Sequence, residues 1–204
     1  MNFQFKYRKY AEALYEALCG DAFYITMEAS VHGRGPAKEA MLKYMEFSMG
    51  EGEKYGELYM PAGHDYGVSI WAKPLSREWE ARKNHEKKRF LRDEMGEKSL
   101  ETYEAIVGFM SAQAEALVDQ KAWYLSILGV LPGFQGRGLG PGLIQNVLKK
   151  TDALGVSTYL ETFTPRNIPF YQRLGYREAR FVDEPETGSG YCLMIREPSP
   201  PDRG

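Results

Sequence analysis

A glycine-rich loop between an apolar segment and a helix constrains this chain more than any other feature. Residues 128–140 read LGVLPGFQGRGLG, with glycine at every second position from Gly136 to Gly140. Glycine adopts positive φ and carries no Cβ, so the backbone N–H groups of such a loop can converge on one point. The N-terminus of the following helix adds about half a positive charge. The loop therefore predicts an anion site, and in particular a phosphate site.

Two common phosphate-binding motifs are excluded by the residues around this loop. A P-loop requires a Gly-Lys-Ser or Gly-Lys-Thr tripeptide, and the chain contains neither. A dinucleotide fingerprint built on Gly136 and Gly138 requires a third glycine at position 141, where Pro141 stands. If the loop is considered alone, an ordinary glycine-rich connection remains the alternative.

The order of the predicted elements indicates an α/β fold. Apolar spacing, caps and turn residues predict helices over 7–18, 36–50, 76–95 and 99–118, with strands at 54–60 and 66–72. The last third alternates strand and helix: strands at 122–130, 156–161, 176–182 and 191–196, and helices at 140–154 and 167–174. This order predicts a mixed sheet within one domain spanning residues 1–196. The segment 197–204, with three prolines and no apolar side chain, is expected to be a flexible tail.

Gly129 interrupts the predicted strand at 122–130. A glycine inside a strand indicates either a bulge or the close approach of another backbone.

Composition excludes several classes of function. The 26 basic and 28 acidic side chains give a net charge of −2, which does not favour a nucleic-acid partner. No apolar run approaches the roughly 18 residues that a membrane span needs, and no secretory leader is recognisable. Two distant cysteines and three scattered histidines predict neither a disulfide scaffold nor a metal site. We therefore expect a cytoplasmic protein without a metal and without a membrane or nucleic-acid partner.

Residues 123–177 resemble the core of the GNAT acetyltransferases, and the core motif is placed at 122–183. The segment 135–140 matches the family's Gln/Arg-x-x-Gly-x-Gly/Ala motif, and residues 128–132 match the Leu-x-Val-x-Pro that precedes it. Residues 159–162 resemble the family's fifth strand, and residues 166–176 resemble its Asn…Tyr…Leu-Gly-Tyr segment. The order and spacing of these segments agree, so the resemblance rests on more than the glycine loop.

The resemblance implies the GNAT fold, a mixed central β-sheet flanked by helices whose parallel fourth and fifth strands splay apart to admit acetyl-CoA. It also implies the cofactor-binding residues: Leu128, Gly129 and Val130 along a strand splayed at a bulge near Gly129, Gln135, Gly136, Arg137, Gly138, Leu139 and Gly140 around the pyrophosphate, and Asn167 on the pantetheine arm. Tyr171 would protonate the leaving thiolate. Many members place the tyrosine seven residues after the asparagine; here the gap is four, which still puts both side chains on one helical face.

The general base is less clearly indicated than the acid. Acyl transfer to an amine needs a neutral nucleophile, and Glu161, at the end of the predicted fifth strand, is the carboxylate best placed to accept the ammonium proton. A single glutamate is more often a structural or solvated residue than a catalytic one. The sequence therefore leaves both roles of Glu161 open.

The resemblance implies direct transfer of an acetyl group from acetyl-CoA to a primary amine in a ternary complex. We expect the acceptor to be a small molecule. Two alternatives remain open: a protein or peptide N-acetyltransferase on the same fold, and a non-catalytic regulatory module that binds coenzyme A. The sequence also leaves a homodimer open.

Overall fold

The structure, a computed structural model, describes residues 3–199. Its central sheet has six strands in the order β1-β2-β3-β4-β6-β5. The strands are β1 Gly56–Tyr59, β2 Gly67–Ala72, β3 Trp123–Val130, β4 Thr158–Thr162, β5 Arg177–Glu184 and β6 Ser189–Arg196. The helices are α1 Arg8–Leu18, α2 Ala22–Ser30, α3 Ala37–Tyr55, α4 Arg77–Phe90, α5 Glu97–Glu115, α6 Gly140–Leu154 and α7 Ile168–Arg173. A π-helical turn, Leu91–Met95, joins α4 to α5.

The centre of the sheet contains the expected parallel pair. Strands β3 and β4, which correspond to the family's fourth and fifth strands, pair at Trp123 with Thr158 and at Tyr124 with Tyr159. The ladder between them has no further pair within residues 3–199, so the two strands diverge beyond Tyr124. The other neighbouring strands run antiparallel. The prediction of a mixed sheet with a splayed parallel pair is confirmed.

The bulge in β3 lies at Ser126. Trp71 of β2 is opposite Leu125, while the preceding residue, Ile70, is opposite Ile127, so Ser126 is an additional residue on β3. A bulge of this kind re-aims the following side chains. The expectation of a bulge near Gly129 is therefore wrong in position, because the pairing of β2 and β3 continues regularly through that residue.

Gly129 instead marks a close approach between two elements. A Cβ atom built on Gly129 would lie 2.6 Å from Cδ2 of Leu14, on α1. The second interpretation of this glycine, the close approach of another backbone, agrees with the structure, since the same Cβ would lie 3.7 Å from the Cα atom of Leu14. The absence of a side chain at Gly129 allows α1 to pack directly on β3, one of the two strands that diverge.

Helices cover both faces of the sheet. On one face, α1–α3 pack with apolar residues of β2 such as Val68 and Ile70, while α5 packs on Tyr191 and Leu193 of β6. On the other face, α6 and α7 pack on the alternate side chains of the same strands. The sheet is therefore buried on both sides, and the splay of β3 and β4 opens between the two layers.

The N-terminal helices differ most from the sequence prediction. Helix α2 was not predicted: it begins where the Asp21 side chain accepts a hydrogen bond from the Phe23 amide at 3.0 Å, and it buries Tyr24 and Met27. Helix α3 continues five residues past its predicted end. In the expected flexible tail, the Ser199 amide donates to Asp152 at 2.8 Å, while residues 200–204 lie outside the described part of the chain.

Candidate active site

The glycine-rich loop leaves β3 through a short 3-10 turn, Pro132–Phe134, and enters α6 at Gly140. Gly136 and Gly138 have φ of 73° and 74°, in the left-handed region that glycine adopts without strain. The backbone N–H groups of residues 136–139 make no hydrogen bond within residues 3–199. Unpaired N–H groups in a left-handed turn at a helix N-terminus form an anion-binding site. This arrangement fits a pyrophosphate group.

Side chains on either side hold the loop in place. The Gln135 amide donates from Nε2 to the Val130 carbonyl at 2.8 Å, which closes the loop on the end of β3. The Arg137 guanidinium lies 5.2 Å from the Phe134 ring centroid. A Cβ on Gly140 would be 2.9 Å from the Phe170 ring, so α7 packs closely on the start of α6.

A cavity of about 950 Å³ lies where β3 and β4 diverge. Residues from both strands line it, together with residues of α2, α3, α4, α5 and α7. Among the sequence-predicted site residues, Leu128, Glu161, Asn167 and Tyr171 all border this cavity. The structure thus brings together residues of the strand, the fifth-strand segment and the Asn…Tyr segment.

Glu161, on β4, is the most perturbed carboxyl group of the site. Burial raises its pKa from 4.5 to about 7, and the neighbouring Tyr124 hydroxyl offsets part of that rise. Its Oε1 atom is buried and has no hydrogen-bond partner within residues 3–199. A buried carboxyl group that titrates near neutrality and belongs to a residue bordering a cavity has the properties of a general base.

Tyr171, on α7, is buried against two aromatic rings. Its ring centroid lies 5.0 Å from Phe170 and 6.0 Å from Tyr176. Burial raises the pKa of its phenol above the usual value, with smaller contributions from Tyr176 and Asp21. The side chain therefore keeps its proton near neutral pH. Asn167 precedes α7, is exposed, and caps no amide of that helix.

Sequence reasoning missed several residues that surround the cavity. Asp21 lies at its border, where it caps α2 and accepts a hydrogen bond from the Thr164 hydroxyl at 3.3 Å. Tyrosines from five elements also line the cavity: Tyr24, Tyr44, Tyr103, Tyr124 and Tyr159. The sequence singles out none of the five as a site residue. Their spacing within three helices and two strands gives no signal beyond that of core residues, because only the tertiary fold gathers them.

Two features of the described residues bear on the excluded classes. Within residues 3–199, no group of three metal-ligating side chains lies close enough together to hold an ion. None of the helices in this range has the length and apolar character that a membrane crossing requires.

Comparison with known proteins assigns the family. The model of the acetyltransferase (GNAT) family matches residues 57–176, more than half of the chain. This range contains the glycine loop, the splayed strands and Tyr171. The chain belongs to the GNAT acetyltransferase family, and it is accordingly an acyltransferase enzyme.

Solved structures share the fold over nearly the whole chain. One, from Corynebacterium glutamicum, is described as a histone acetyltransferase HPA2 and related acetyltransferase; it is 18% identical, covers 98% of this chain and 96% of its own, and has a TM-score of 0.64. An arylalkylamine N-acetyltransferase 2 from Aedes aegypti is 14% identical, with 94% and 95% covered and a TM-score of 0.62. A polyamine N-acetyltransferase from Drosophila melanogaster is 18% identical, with 92% and 94% covered and a TM-score of 0.54. At these identities the likeness concerns the fold.

Proposed function

We propose that this chain transfers the acetyl group of acetyl-CoA directly to a primary amine of a small molecule. The observation that carries the proposal is the cavity at the splay of β3 and β4. A carboxyl group of raised pKa and a protonated phenol both border this cavity. A base and an acid that border one cavity are what a direct transfer in a ternary complex requires.

The loop and the splayed strand supply the groups that would hold the cosubstrate. Backbone N–H groups of residues 136–140 would bind the pyrophosphate, with Gln135, Arg137 and Leu139 shaping the loop. The backbone of residues 128–130 would bind the acetyl carbonyl and the pantetheine amides, and the exposed Asn167 amide would bind the same arm. Acetyl-CoA supplies an activated thioester. GNAT enzymes use it as cosubstrate, and the unpaired N–H groups of the loop fit its pyrophosphate.

Glu161 would accept the proton of the acceptor ammonium. An amine must be neutral to act as a nucleophile, and a carboxylate with a pKa of about 7 is deprotonated in about half of the molecules at neutral pH. Glu161 borders the cavity, and its Oε1 atom has no hydrogen-bond partner within residues 3–199. We therefore prefer the catalytic role of Glu161 to the structural one.

Tyr171 would donate its proton to the leaving thiolate. Its phenol borders the same cavity as Glu161 and stays protonated because burial raises its pKa. Base and acid would thus act on opposite partners of the reaction: Glu161 on the amine and Tyr171 on the sulfur.

The shape of the cavity favours a small acceptor over a peptide. Helices α2, α3, α4 and α5 all contribute lining residues, as in the concave pockets that bind small molecules, whereas peptides bind along extended grooves. A regulatory module that only bound coenzyme A would have no use for a buried base at the splay. Neither alternative is favoured by an observation of its own.

The test is thiol release from acetyl-CoA, measured with panels of amines, amino acids and lysine-containing peptides at equal concentration. We expect turnover with small amines and little with peptides. Turnover confined to peptides would show that the acceptor is a peptide and not a small molecule. Measurable acetyl-CoA binding without turnover on any amine would support the regulatory module.

A further inference from the structure

Tyr124 stands where the two parallel strands begin to diverge. Within residues 3–199 it is the last residue of β3 that pairs with β4, and its partner in the ladder is Tyr159. The two phenol rings stack, with their centroids 4.7 Å apart and their planes at 25°. Stacked aromatic pairs stabilise beyond the burial of their area, so the Tyr159 ring holds the Tyr124 ring in place. Both tyrosines border the cavity.

Glu161 lies on the same face of the sheet as these two rings. Along β4, Tyr159 is opposite Ile195 of β6 and Glu161 is opposite Leu193. Both of these β6 side chains belong to the apolar cluster that α5 covers. Tyr124 and Glu161 are therefore diagonal neighbours on one face of two paired strands. Diagonal neighbours are about 7–8 Å apart, a distance that aromatic and long side chains can bridge.

The bulge in β3 removes the residue that would otherwise lie beside Glu161. In a regular parallel ladder, position 126 would follow the pair of Tyr124 with Tyr159 and stand next to Glu161. Ser126 is instead the additional residue of the bulge, and within residues 3–199 it pairs with no residue of β4. Because the ladder ends at Tyr124, this tyrosine is the paired β3 residue nearest to Glu161 along the two strands.

The side chains of Tyr124 and Glu161 affect each other's protonation. Burial raises the pKa of Glu161 to about 7, and a side-chain hydrogen bond with Tyr124 acts against that rise. Burial, followed by the charge of Glu161, raises the pKa of the Tyr124 phenol, which therefore keeps its proton and remains a donor. A hydrogen bond to a charged group favours the charged form. The Tyr124 hydroxyl thus favours the form of Glu161 that can accept a proton.

The elements around Glu161 carry five further titratable side chains of interest: Tyr24 of α2, Glu80 of α4, Glu115 of α5, Tyr159 of β4 and Tyr191 of β6. Tyr24 and Glu80 act on the pKa of Tyr124 and of Tyr159, respectively. The α5 side chains that pack on this face of the sheet are apolar. Besides burial, the pKa of Glu161 itself responds to Tyr124.

We propose that Tyr124 is a positioning residue for the transfer reaction: stacked on Tyr159, it holds the Glu161 carboxylate at the splay by donating a hydrogen bond from its hydroxyl. This inference rests on the proposed function, because it assigns a partner to the base of that reaction. Catalytic bases are in general oriented by a further group of this kind. Tyr124 exchanges no proton with the amine or with the thiol.

The experiment is a pH profile of kcat/KM for Tyr124→Phe, which keeps the ring and its stacking and removes the hydroxyl. Without that donor the ionised form of Glu161 is less favoured, so the inflection should move up by about one pH unit. The variant should then have about one fifth of the wild-type kcat/KM at pH 7 and nearly the wild-type value at pH 9. A purely structural role would lower kcat/KM by the same factor at every pH, and that result would overturn the inference.

Tyr159→Phe is the matched control, because it makes the same chemical change in the other ring of the stack. The Tyr159 hydroxyl does not contribute to the pKa of Glu161, so the inflection should stay at about 7. An inflection that moves equally in both variants would contradict the assignment of the donor to Tyr124. Thermal melts of each variant exclude unfolding as the cause.

A direct titration separates a failure of the inference from a failure of the proposed function. Isotope-edited carbon NMR follows the Glu161 carboxyl group without substrate in the wild type, Tyr124→Phe and Tyr159→Phe, and Glu161→Gln assigns the signal. A pKa that rises in Tyr124→Phe alone supports the inference. An unchanged pKa in Tyr124→Phe overturns it while the proposed function stands. A pKa that rises while the kinetic profile does not move shows that Glu161 is not the base, and both assignments then fail.

Discussion

At the scale of single residues, Glu161 combines burial with an unpaired oxygen. Replacement by Gln keeps its size and removes the base. If Glu161 accepts the ammonium proton, wild-type kcat/KM should rise with pH through about 7, because only the deprotonated carboxylate acts as base. Glu161→Gln should lose this inflection and fall by about 10²–10⁴-fold. The measurement is a pH profile with a good amine substrate; an unchanged profile in Glu161→Gln would assign the base elsewhere.

Because Glu161 is buried, its ionised form lowers the free energy of unfolding above neutral pH. Its folded-state pKa of about 7 exceeds the ordinary 4.5, so between these values the folded chain binds more protons than the unfolded chain. The free energy of unfolding therefore falls as pH rises through this window. Glu161→Gln has no proton to lose and should be more stable than the wild type at pH 8, by about 3 kcal/mol. Urea unfolding at pH 4 and pH 8 checks this; a difference that does not grow with pH would contradict it.

Tyr171 borders the cavity, whereas Tyr176, whose ring packs against it, does not. Tyr171→Phe keeps the ring contacts and removes the proton donor, so kcat should fall by about 10²–10⁴-fold while acetyl-CoA affinity stays the same. Tyr176→Phe is the matched control, because that hydroxyl hydrogen-bonds to Thr158 at 2.9 Å. We expect it to lower stability and leave kcat nearly unchanged. Near wild-type kcat in Tyr171→Phe would remove the acid role.

At the scale of elements, the loop before α6 offers a test of the pyrophosphate site. Gly138 has positive φ, and a Cβ there would meet no atom within 4 Å. Asp and Asn both tolerate this conformation and differ only in charge. Gly138→Asp should weaken acetyl-CoA binding at least fivefold relative to Gly138→Asn, as about 1 kcal/mol of repulsion at close range implies. Calorimetry on both folded variants measures it; equal affinities would place the pyrophosphate elsewhere. Gly140 is unsuited to this test, because a side chain there would clash with the ring of Phe170.

At the scale of the whole molecule, the docking of α1 on β3 connects the N-terminal helices to the transfer site. Gly129→Ala would place a methyl group 2.6 Å from Leu14, which is fully buried. Such overpacking should lower the free energy of unfolding by about 1–3 kcal/mol. Adding Leu14→Val to this variant shortens the opposing side chain and should recover part of the loss. Denaturant unfolding of the single and double variants tests the contact; additive losses would contradict it.

The backbone conformation of the glycine-rich loop could be read directly from the sequence. Glycines at 136, 138 and 140, between a strand and a helix, fix a local backbone conformation, and local conformation depends on neighbouring residues alone. The β-strand and helix order of the last third is confirmed for the same reason. The bulge was misplaced, because a glycine in a strand indicates a bulge or a close contact equally well. The position of α1 decides that Gly129 serves the contact, and the pairing of β2 with β3 places the bulge at Ser126.

The cavity at the splay of β3 and β4 was decided by tertiary structure. Asp21, Glu51, Tyr44 and Tyr103 are far from the glycine loop in the sequence, and their spacing there is that of ordinary core and surface positions. The packing of α2 to α5 over the sheet brings them to the splay, and burial then shifts the pKa of Glu161. A pKa depends on which groups exclude water from a side chain, and that is set by contacts between distant segments. The sequence by itself therefore determined the family and the glycine-rich loop, while the fold determined the cavity at the splay and the residues that line it.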